Sequence, residues 1–239
     1  MLTNYKEKLL DLFYPPICPV CQKVLDASTG YSHRECREKL PWIHQPRCKR
    51  CGKPIESHIR ELCSDCRRKS LAFISGRSLW LYQGRAKEMV LDYKYKNKRE
   101  YTDFFVRELL FNYKTWINKN NIDALVPIPL NRKKQRARGY NQAELIASGI
   151  GLQLALPVLK KTLLRTHWTE PQKTLSPKER RRNLMTSISS EKLPESFKTI
   201  LLIDDIYTTG ATIDICSRSL LGAGAQNIYF LTLCIGEGV

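Results

Sequence analysis

Two neighbouring acids lead directly into a turn rich in threonine and glycine within the stretch "ILLIDDIYTTGAT". The apolar run before Asp204 and Asp205 predicts a buried strand, and the turn after them predicts the start of a helix. Free backbone N–H groups at such a turn favour an anion. The hydroxyls of Thr208, Thr209 and Thr212 add donors to those amides. The turn is therefore a candidate phosphate site.

The two carboxylates require a different ligand from the turn. Carboxylates accept hydrogen bonds, so they favour hydroxyl groups or a divalent cation over phosphate. A phosphate beside vicinal hydroxyls is the chemistry of a sugar phosphate such as ribose 5-phosphate. The acids and the turn together predict a sugar-phosphate site.

A basic segment in the middle of the chain is a candidate for binding a second anion. Five of the seven residues from Arg132 to Arg138 are basic, and Gly139 allows a turn before the next helix. The segment follows "DALVPIP", an apolar run of strand length. Ligands of parallel sheets bind at the carboxyl ends of strands. We therefore expect a basic loop after Val126 to lie beside the loop that follows Ile203 and to face a second phosphate group.

Seven of the nine cysteines lie between residues 18 and 66, and with one histidine they form a repeated pattern. Each copy contains two pairs of ligand residues. Two residues separate the members of a pair, and eleven residues separate the two pairs. The second copy begins 30 residues after the first. A C-x2-C turn presents two thiolates on one side of a tight loop, and a second pair completes a tetrahedral zinc site in which imidazole can replace one thiolate. We predict two structural zinc sites, namely Cys18, Cys21, His33 and Cys36, then Cys48, Cys51, Cys63 and Cys66. The spacing leaves interleaved pairing open, and free buried cysteines or disulfides are the alternative.

Strand-length and helix-length segments alternate after the cysteine-rich region. "RSLWLY", "DALVPIP", "FKTILLIDD" and "QNIYFLTLCIG" predict strands, and the segments between them have helical spacing. This order predicts an α/β fold with a parallel sheet and crossover helices. We place the boundary near residue 70, with a double zinc-knuckle module at 1–70 and the α/β domain at 71–239.

The chain carries a formal net charge of +17, and the basic excess is concentrated between residues 71 and 200. Such a concentration favours a polyanion, either nucleic acid or a phosphorylated small molecule, and a solubilising surface is the alternative. The start of the chain has no continuous apolar region typical of an export signal, and no apolar run reaches bilayer length. We expect a cytoplasmic protein without membrane insertion, where reducing conditions disfavour disulfides.

Two motifs carry a resemblance to known families. "ILLIDDIYTTGAT" resembles the ribose-phosphate motif of the type I phosphoribosyltransferases, and "VPIPL…RARGYNQAELIA" is similar to their pyrophosphate loop and following helix. With the zinc pattern, "KYKNK" and "RTHWTEPQKTLSPKERRRNL", the order resembles the ComF family of competence proteins from about residue 18 to the end of the chain. Relatives usually show C-x2-C where this chain has "HREC", which puts in question the identity of one ligand and not the zinc.

The resemblance implies a type I phosphoribosyltransferase-like domain that binds phosphoribosyl pyrophosphate. Asp204 and Asp205 would bind the ribose hydroxyls, directly or through Mg²⁺. The 5-phosphate would be held by Thr208, Thr209, Gly210 and Thr212. The pyrophosphate side would be lined by Arg136, Arg138 and Gly139, with Lys94 and Lys96 reaching it from "KYKNK". The segment 165–183 looks like the mobile loop that covers the site in relatives.

Two functions stay open at the level of the sequence. The resemblance implies a role in uptake of transforming DNA, with single-stranded DNA as a partner beside a competence helicase and the DNA-uptake machinery. Tyr93, Tyr95 and Tyr101 alternate with basic residues as stacking platforms in positive grooves do, unless they are core positions of helices. The alternative is an active Mg-dependent phosphoribosyltransferase in nucleotide salvage. No residue is identifiable as a catalytic base, and no segment that would select a nucleobase is evident.

Overall fold

The computed structural model describes residues 15–25, 30–57, 59–165 and 188–236. The helices of this part are α1 (Arg34–Glu38), α2 (Ser64–Arg68), α3 (Gly84–Tyr95), α4 (Tyr101–Lys119), α5 (Arg132–Arg138), α6 (Gln142–Leu154) and α7 (Ala211–Gly222). The strands are β1 (Ser75–Leu81), β2 (Ala124–Pro127), β3 (Leu163–Arg165), β4 (Ile188–Ser190), β5 (Thr199–Tyr207) and β6 (Asn227–Ile235). None of the described helices combines the length and the apolar character needed to cross a membrane.

The main sheet has four parallel strands in the order β1-β6-β5-β2. This arrangement confirms the predicted α/β fold with a parallel sheet. Its two central strands, β6 and β5, are the longest, with nine residues each. A second, antiparallel pair of strands, β3 and β4, was not predicted. These strands are three residues each, too short for an alternating pattern to stand out in the sequence.

The strand β5 is longer than its neighbour β2 at the carboxyl edge. Pro127, the last residue of β2, pairs with Ile203, and the amide of Ile128 donates to the Ile203 carbonyl at 2.9 Å. On the other side, β5 stays paired with β6 as far as Tyr207. The prediction that a loop begins after Ile203 is therefore wrong by four residues, because pairing with β6 keeps the chain extended. The prediction that the ends of β2 and β5 lie side by side is confirmed.

The predicted zinc module shares its core with the sheet. One apolar cluster joins Cys18 and Val20 to Trp80 of β1 and to residues of α3, α4 and α6. A second cluster, on the opposite face, joins the four cysteines from 48 to 66 with Phe73, Phe230 and the apolar side of α7. The two parts on either side of residue 70 are thus packed as one structure over both faces of the sheet.

The segment 41–43 pairs with the edge of β1 that has no neighbouring strand in the main sheet. The amide of Ile43 donates to the Leu79 carbonyl at 3.2 Å, and the amide of Leu81 donates to the Pro41 carbonyl at 2.9 Å. The rings of Trp42 and Trp80 lie with centroids 5.4 Å apart. An uncovered edge strand would be a template for association. The zinc-bearing region therefore closes one edge of the sheet.

A glycine in β1 gives a first test of this packing. A methyl group at Gly76 would overlap the ring of Phe230, its neighbour in β6. We expect Gly76→Ala to lower the free energy of unfolding by about 1–3 kcal/mol, the usual effect of overpacking a core. Urea unfolding followed by circular dichroism would measure the change. Gly222→Ala is the matched control, since nothing lies within 4 Å of the added group; equal losses for both variants would contradict the packing described.

Candidate functional site

Asp204 and Asp205 lie on β5 beyond the end of β2, where one side of the strand has no neighbouring strand. Asp205 is buried and Asp204 is half-buried. The Nζ atom of Lys94, near the end of α3, lies 2.8 Å from Oδ1 of Asp205, and both side chains are more than four-fifths buried. The amide of Asp205 donates to Oδ1 of Asp204 at 2.8 Å. The structure thus brings both predicted acids together with one predicted lysine.

Asp204 keeps its proton to a higher pH than an isolated aspartate does. Burial first, and then the negative charge of Asp205, raise the pKa of Asp204 to about 7. The hydrogen bond from the Asp205 amide, followed by the charges of Lys94 and Arg165, opposes this shift. Two carboxylates in a shared, poorly solvated place cannot both ionise without a cost, so a cation or a hydroxyl-bearing ligand would be stabilised there.

A cavity of 210 Å³ connects α3 to the basic segment. It is lined by Lys94, Tyr95, Asn97, Lys134, Ala137 and Arg138. The guanidinium of Arg138 lies 4.8 Å from the ring centre of Tyr95, and its Nη1 donates to Oε1 of Gln142 at 3.0 Å. Lys94 therefore faces both the acid pair and the cavity, and Arg138 is held on the opposite wall.

The basic segment is a helix and not the loop that the sequence predicted. Asn131 caps α5 by accepting a hydrogen bond from the Lys134 amide at 2.8 Å, and the helix ends at Gly139. A short polar segment with this capping residue is helical because the cap satisfies a free amide of the first turn. Arg136 is exposed and does not line the cavity.

Lys96 is directed to a different partner from Lys94. Its Nζ lies 2.9 Å from Oδ1 of Asp92, one turn earlier in the chain, and its side chain is largely exposed. Lys96 does not line the cavity. Of the two lysines predicted from "KYKNK", the structure brings only Lys94 to the acids.

The predicted phosphate loop connects β5 to α7. Thr208 and Thr209 are exposed, Thr212 is half-buried, and no side chain caps the first turn of α7. Gly210 has a φ of 79°, and a methyl group there would overlap the hydroxyl of Tyr207, so glycine is required at this position. The amino end of a 12-residue helix thus presents uncapped amides beside threonine hydroxyls.

The predicted metal ligands form two separate clusters. In each, the ligand atoms lie within 4.8 Å of one another: Cys18, Cys21, His33 and Cys36 in one, and Cys48, Cys51, Cys63 and Cys66 in the other. Nδ1 of His33 lies 3.3 Å from the sulfur of Cys21. The pairing is not interleaved, and all nine cysteines are free of disulfides.

The two clusters are copies at the level of the backbone. The Gln22 amide donates to the Cys18 carbonyl at 2.8 Å, and the Gly52 amide donates to the Cys48 carbonyl at 2.9 Å. In both copies, the third ligand precedes a five-residue helix that carries the fourth ligand. The same 30-residue displacement seen in the cysteines therefore holds for the hydrogen bonds, as expected of a duplicated unit.

The chemistry of the clusters fits zinc. Burial, followed by the hydrogen-bonded thiol of Cys21, raises the pKa of Cys36 to about 11, and the thiol of Cys48 raises the pKa of Cys66 to about 12. Thiols packed this closely cannot all ionise without a cation between them. A set of three or four thiolates, with one imidazole in the first cluster, is the donor set of a closed structural zinc site.

The region of the second cluster packs beside the predicted phosphate loop, which the sequence did not predict. Its cysteines belong to the same apolar cluster as Tyr207 and Ile213. The ring of Tyr207 stacks on Phe230 with centroids 4.8 Å apart, and Lys69 Nζ donates to the carbonyl of Thr209 at 3.5 Å. The conformation of the loop therefore depends on the fold around the second cluster.

Two of the three tyrosines proposed as stacking platforms are core residues. Tyr93 and Tyr101 are fully buried, and the hydroxyl of Tyr93 bonds to that of Thr102 at 2.8 Å. Of the three, Tyr95 is exposed. The interpretation of all three as platforms is therefore wrong, and the alternative of core positions holds for Tyr93 in α3 and Tyr101 in α4. The predicted covering loop at 165–183 lies outside the described residues except for Arg165.

Comparisons with known proteins agree with this arrangement. Residues 9–67 match the double zinc ribbon domain. The chain is 31% identical to competence protein ComFC of Bacillus subtilis over 83% of this chain and 81% of that protein. It is 26% identical to competence protein F of Haemophilus influenzae over 77% and 82% of the two chains. It is also 26% identical to the DNA utilization protein YhgH of Escherichia coli K12 over 78% and 83%.

The raised pKa of Asp204 predicts a pH-dependent stability. The unfolded chain loses this proton near pH 4 and the folded protein near pH 7, so stability contributed by Asp204 falls as pH rises between these values. We expect Asp204→Asn to be more stable than the wild type above pH 7, by up to about 4 kcal/mol at about 1.4 kcal/mol for each pKa unit. Urea unfolding of both proteins at pH 6 and pH 8.5, without ligand, would measure the difference. Asp103→Asn, at an exposed position, is the control; a difference that does not grow with pH would contradict the burial described.

The contact between the second cluster and the phosphate loop predicts unequal effects of two cysteine variants. We expect Cys36→Ser and Cys66→Ser each to reduce zinc from about two atoms per chain to about one, since each removes one ligand of a closed site. Only Cys66→Ser should increase hydrogen exchange at residues 206–212. Metal analysis and exchange mass spectrometry would measure both effects. Equal exchange in the two variants would show that the loop does not depend on the second cluster.

Proposed function

The chain belongs to the ComF family of competence proteins, and from this membership and its site we propose that it binds phosphoribosyl pyrophosphate and acts on single-stranded DNA during uptake of transforming DNA. The observation that carries the first part is the ion pair between Lys94 and Asp205 beside Asp204. The two carboxylates lie just beyond the end of β2, and Lys94, which pairs with one of them, also lines the cavity.

The two acids are proposed to bind the ribose hydroxyls. Asp204 and Asp205 are neighbours on β5, and carboxylate oxygens accept hydrogen bonds from vicinal hydroxyls. Negative charge at this position disfavours a bare phosphate, which supports a ligand with a sugar between two phosphate groups. Displacing Lys94 from Asp205 would free an oxygen for such a hydroxyl.

The 5-phosphate is proposed to lie in the loop between β5 and α7. Uncapped amides of the first turn of α7, with the hydroxyls of Thr208, Thr209 and Thr212, supply donors of the right kind. Gly210 lets the backbone turn there without a side chain between loop and ligand. The loop directly follows the acids in the chain, so phosphate and ribose sites are adjacent.

The pyrophosphate is proposed to occupy the cavity between α3 and α5. Lys94, Lys134 and Arg138 line it, and the bond from Arg138 to Gln142 fixes the guanidinium. Gly139 follows at the end of α5. Arg136 is exposed and does not line this cavity, so it would contribute charge rather than direct contact.

The donor set also fits Mg²⁺, which prefers carboxylate and phosphate oxygens. Asp204 and Asp205 would hold it, and the ion would neutralise pyrophosphate charge. Among the described residues that line the cavity, none is a carboxylate or histidine able to serve as a base towards an acceptor. We therefore propose ligand binding as the function of the site and treat transfer as an outcome to be tested.

The DNA part of the proposal is supported by relatives and by charge. The relatives are named for competence and for DNA utilization. A chain with a net charge of +17 attracts polyanions, and the acids at the ligand site direct such a polymer to other surfaces. We propose a cytoplasmic location, where thiols stay reduced for zinc, and cooperation with a competence helicase and the uptake machinery.

The two lysines of "KYKNK" give a matched test of the ligand site. We expect Lys94→Gln to weaken binding of phosphoribosyl pyrophosphate with Mg²⁺ by about tenfold or more, since a charge-assisted contact is worth about 1.5–3 kcal/mol. Lys96→Gln should stay within about twofold of the wild type, because Lys96 pairs with Asp92 outside the cavity. Isothermal titration calorimetry would measure both affinities.

The same samples separate binding from catalysis. Pyrophosphate release would be followed after adding free nucleobases and, separately, single-stranded DNA. Release with a nucleobase would favour a salvage phosphoribosyltransferase, and binding without release supports the proposal. Equal affinities of the Lys94 and Lys96 variants, with zinc content unchanged, would overturn the site assignment.

A further inference from the structure

A second cavity, of 570 Å³, lies on a different part of the molecule from the ligand site. It is formed by the residues just before His33, by α1, by α4 and by the end of α6. Its described lining includes two exposed aromatic rings, Tyr31 and Phe111, whose exposed fractions are 41% and 77%. Single exposed apolar side chains need no explanation, whereas exposed rings grouped around one cavity and rimmed by polar residues mark an interaction site.

Each of the two rings has a guanidinium on one face. The Arg37 guanidinium lies 4.6 Å from the ring centre of Phe111, and the Arg107 guanidinium lies 3.5 Å from that of Tyr31. Arg107 also donates to the hydroxyl of Tyr31. A cation on one face of a ring orients it and leaves the other face open to an electron-rich ring.

Contacts with Glu108 and Trp42 hold the side chain of Arg37 in position. Its Nε lies 2.6 Å from Oε1 of Glu108, a buried residue of α4, and its guanidinium also contacts the ring of Trp42 at 5.7 Å. The indole N–H of Trp42 donates to the carbonyl of Arg37 at 2.8 Å. The guanidinium that lies against the Phe111 ring is therefore held in position before any ligand arrives.

The charges that line this cavity indicate which class of ligand it binds. The lining carries three cations, Arg37, Arg107 and Lys114, against the single carboxylate of Glu108, which is already paired. An apolar protein segment would gain from the rings and not from the cations. A polymer that alternates flat rings with phosphates matches both features, and this combination is how single strands are bound.

We infer that this cavity binds single-stranded DNA, with a base stacked on Phe111 and a neighbouring phosphate near Arg107 and Lys114. The inference rests on the proposed function, because it assigns a surface to the DNA-binding part of it. It places the strand on the outer face of α4 instead of the "LDYKYKNKREY" segment, where two of the three tyrosines are buried.

The test uses the full, zinc-loaded chain and a fluorescent oligothymidylate, with affinity measured by anisotropy at fixed salt. We expect Phe111→Ala to weaken binding by about tenfold, as the loss of one stacking platform does. Phe111→Trp should retain wild-type affinity or exceed it, because it restores a flat ring. Ile59→Ala, which removes another strongly exposed apolar side chain, should have no effect. Affinity for phosphoribosyl pyrophosphate should be unchanged in all three variants.

The outcomes separate the inference from the function on which it rests. If the wild type binds the oligonucleotide and Phe111→Ala binds it equally well, the inference is overturned while the DNA-binding function stands, and the cavity then fits a protein partner better. If the wild type binds no single-stranded DNA, both fail. Metal analysis of Phe111→Ala would check that the variant keeps its zinc and therefore its fold. Phe111→Trp tests separately whether a flat ring at this position is sufficient for binding.

Discussion

The unequal length of two neighbouring strands is the constraint on which the proposed ligand site depends. Because β2 ends opposite Ile203 while β5 continues to Tyr207 beside β6, four positions of β5 have a strand on only one side. Asp204 and Asp205 occupy the first two of those positions. A pair of acids in the middle of the sheet would have no space for a ligand, whereas here α3 and α5 bring cations into the space that β2 leaves.

The zinc-bearing region is a structural part of this arrangement and not an appendage. Its first cluster packs with α3, which carries Lys94, and its second packs with Tyr207 and Phe230 beside the phosphate loop. A region so small and polar gains its order from metal and from the sheet together. Both ends of the candidate ligand site are thus supported by the residues that bind metal.

Two surfaces of the protein use the same device for placing a cation. At the ligand site a buried carboxylate, Asp205, holds Lys94, and on the outer face of α4 the buried Glu108 holds Arg37. Buried ion pairs contribute little net stability because both partners lose water. Their value here is position: one cation faces a cavity suited to phosphates, and the other supports an exposed ring.

Local patterns determined much of this protein by themselves. The zinc ligands, the alternation of strands and helices and the acid-threonine motif were predictable because each depends on spacing within a short segment. Only the tertiary structure decided that Lys94 and not Lys96 meets the acids, and that Phe111 lies near Tyr31. Those outcomes depend on which face of each helix meets a distant part of the chain, and sequence periodicity carries no information about that partner.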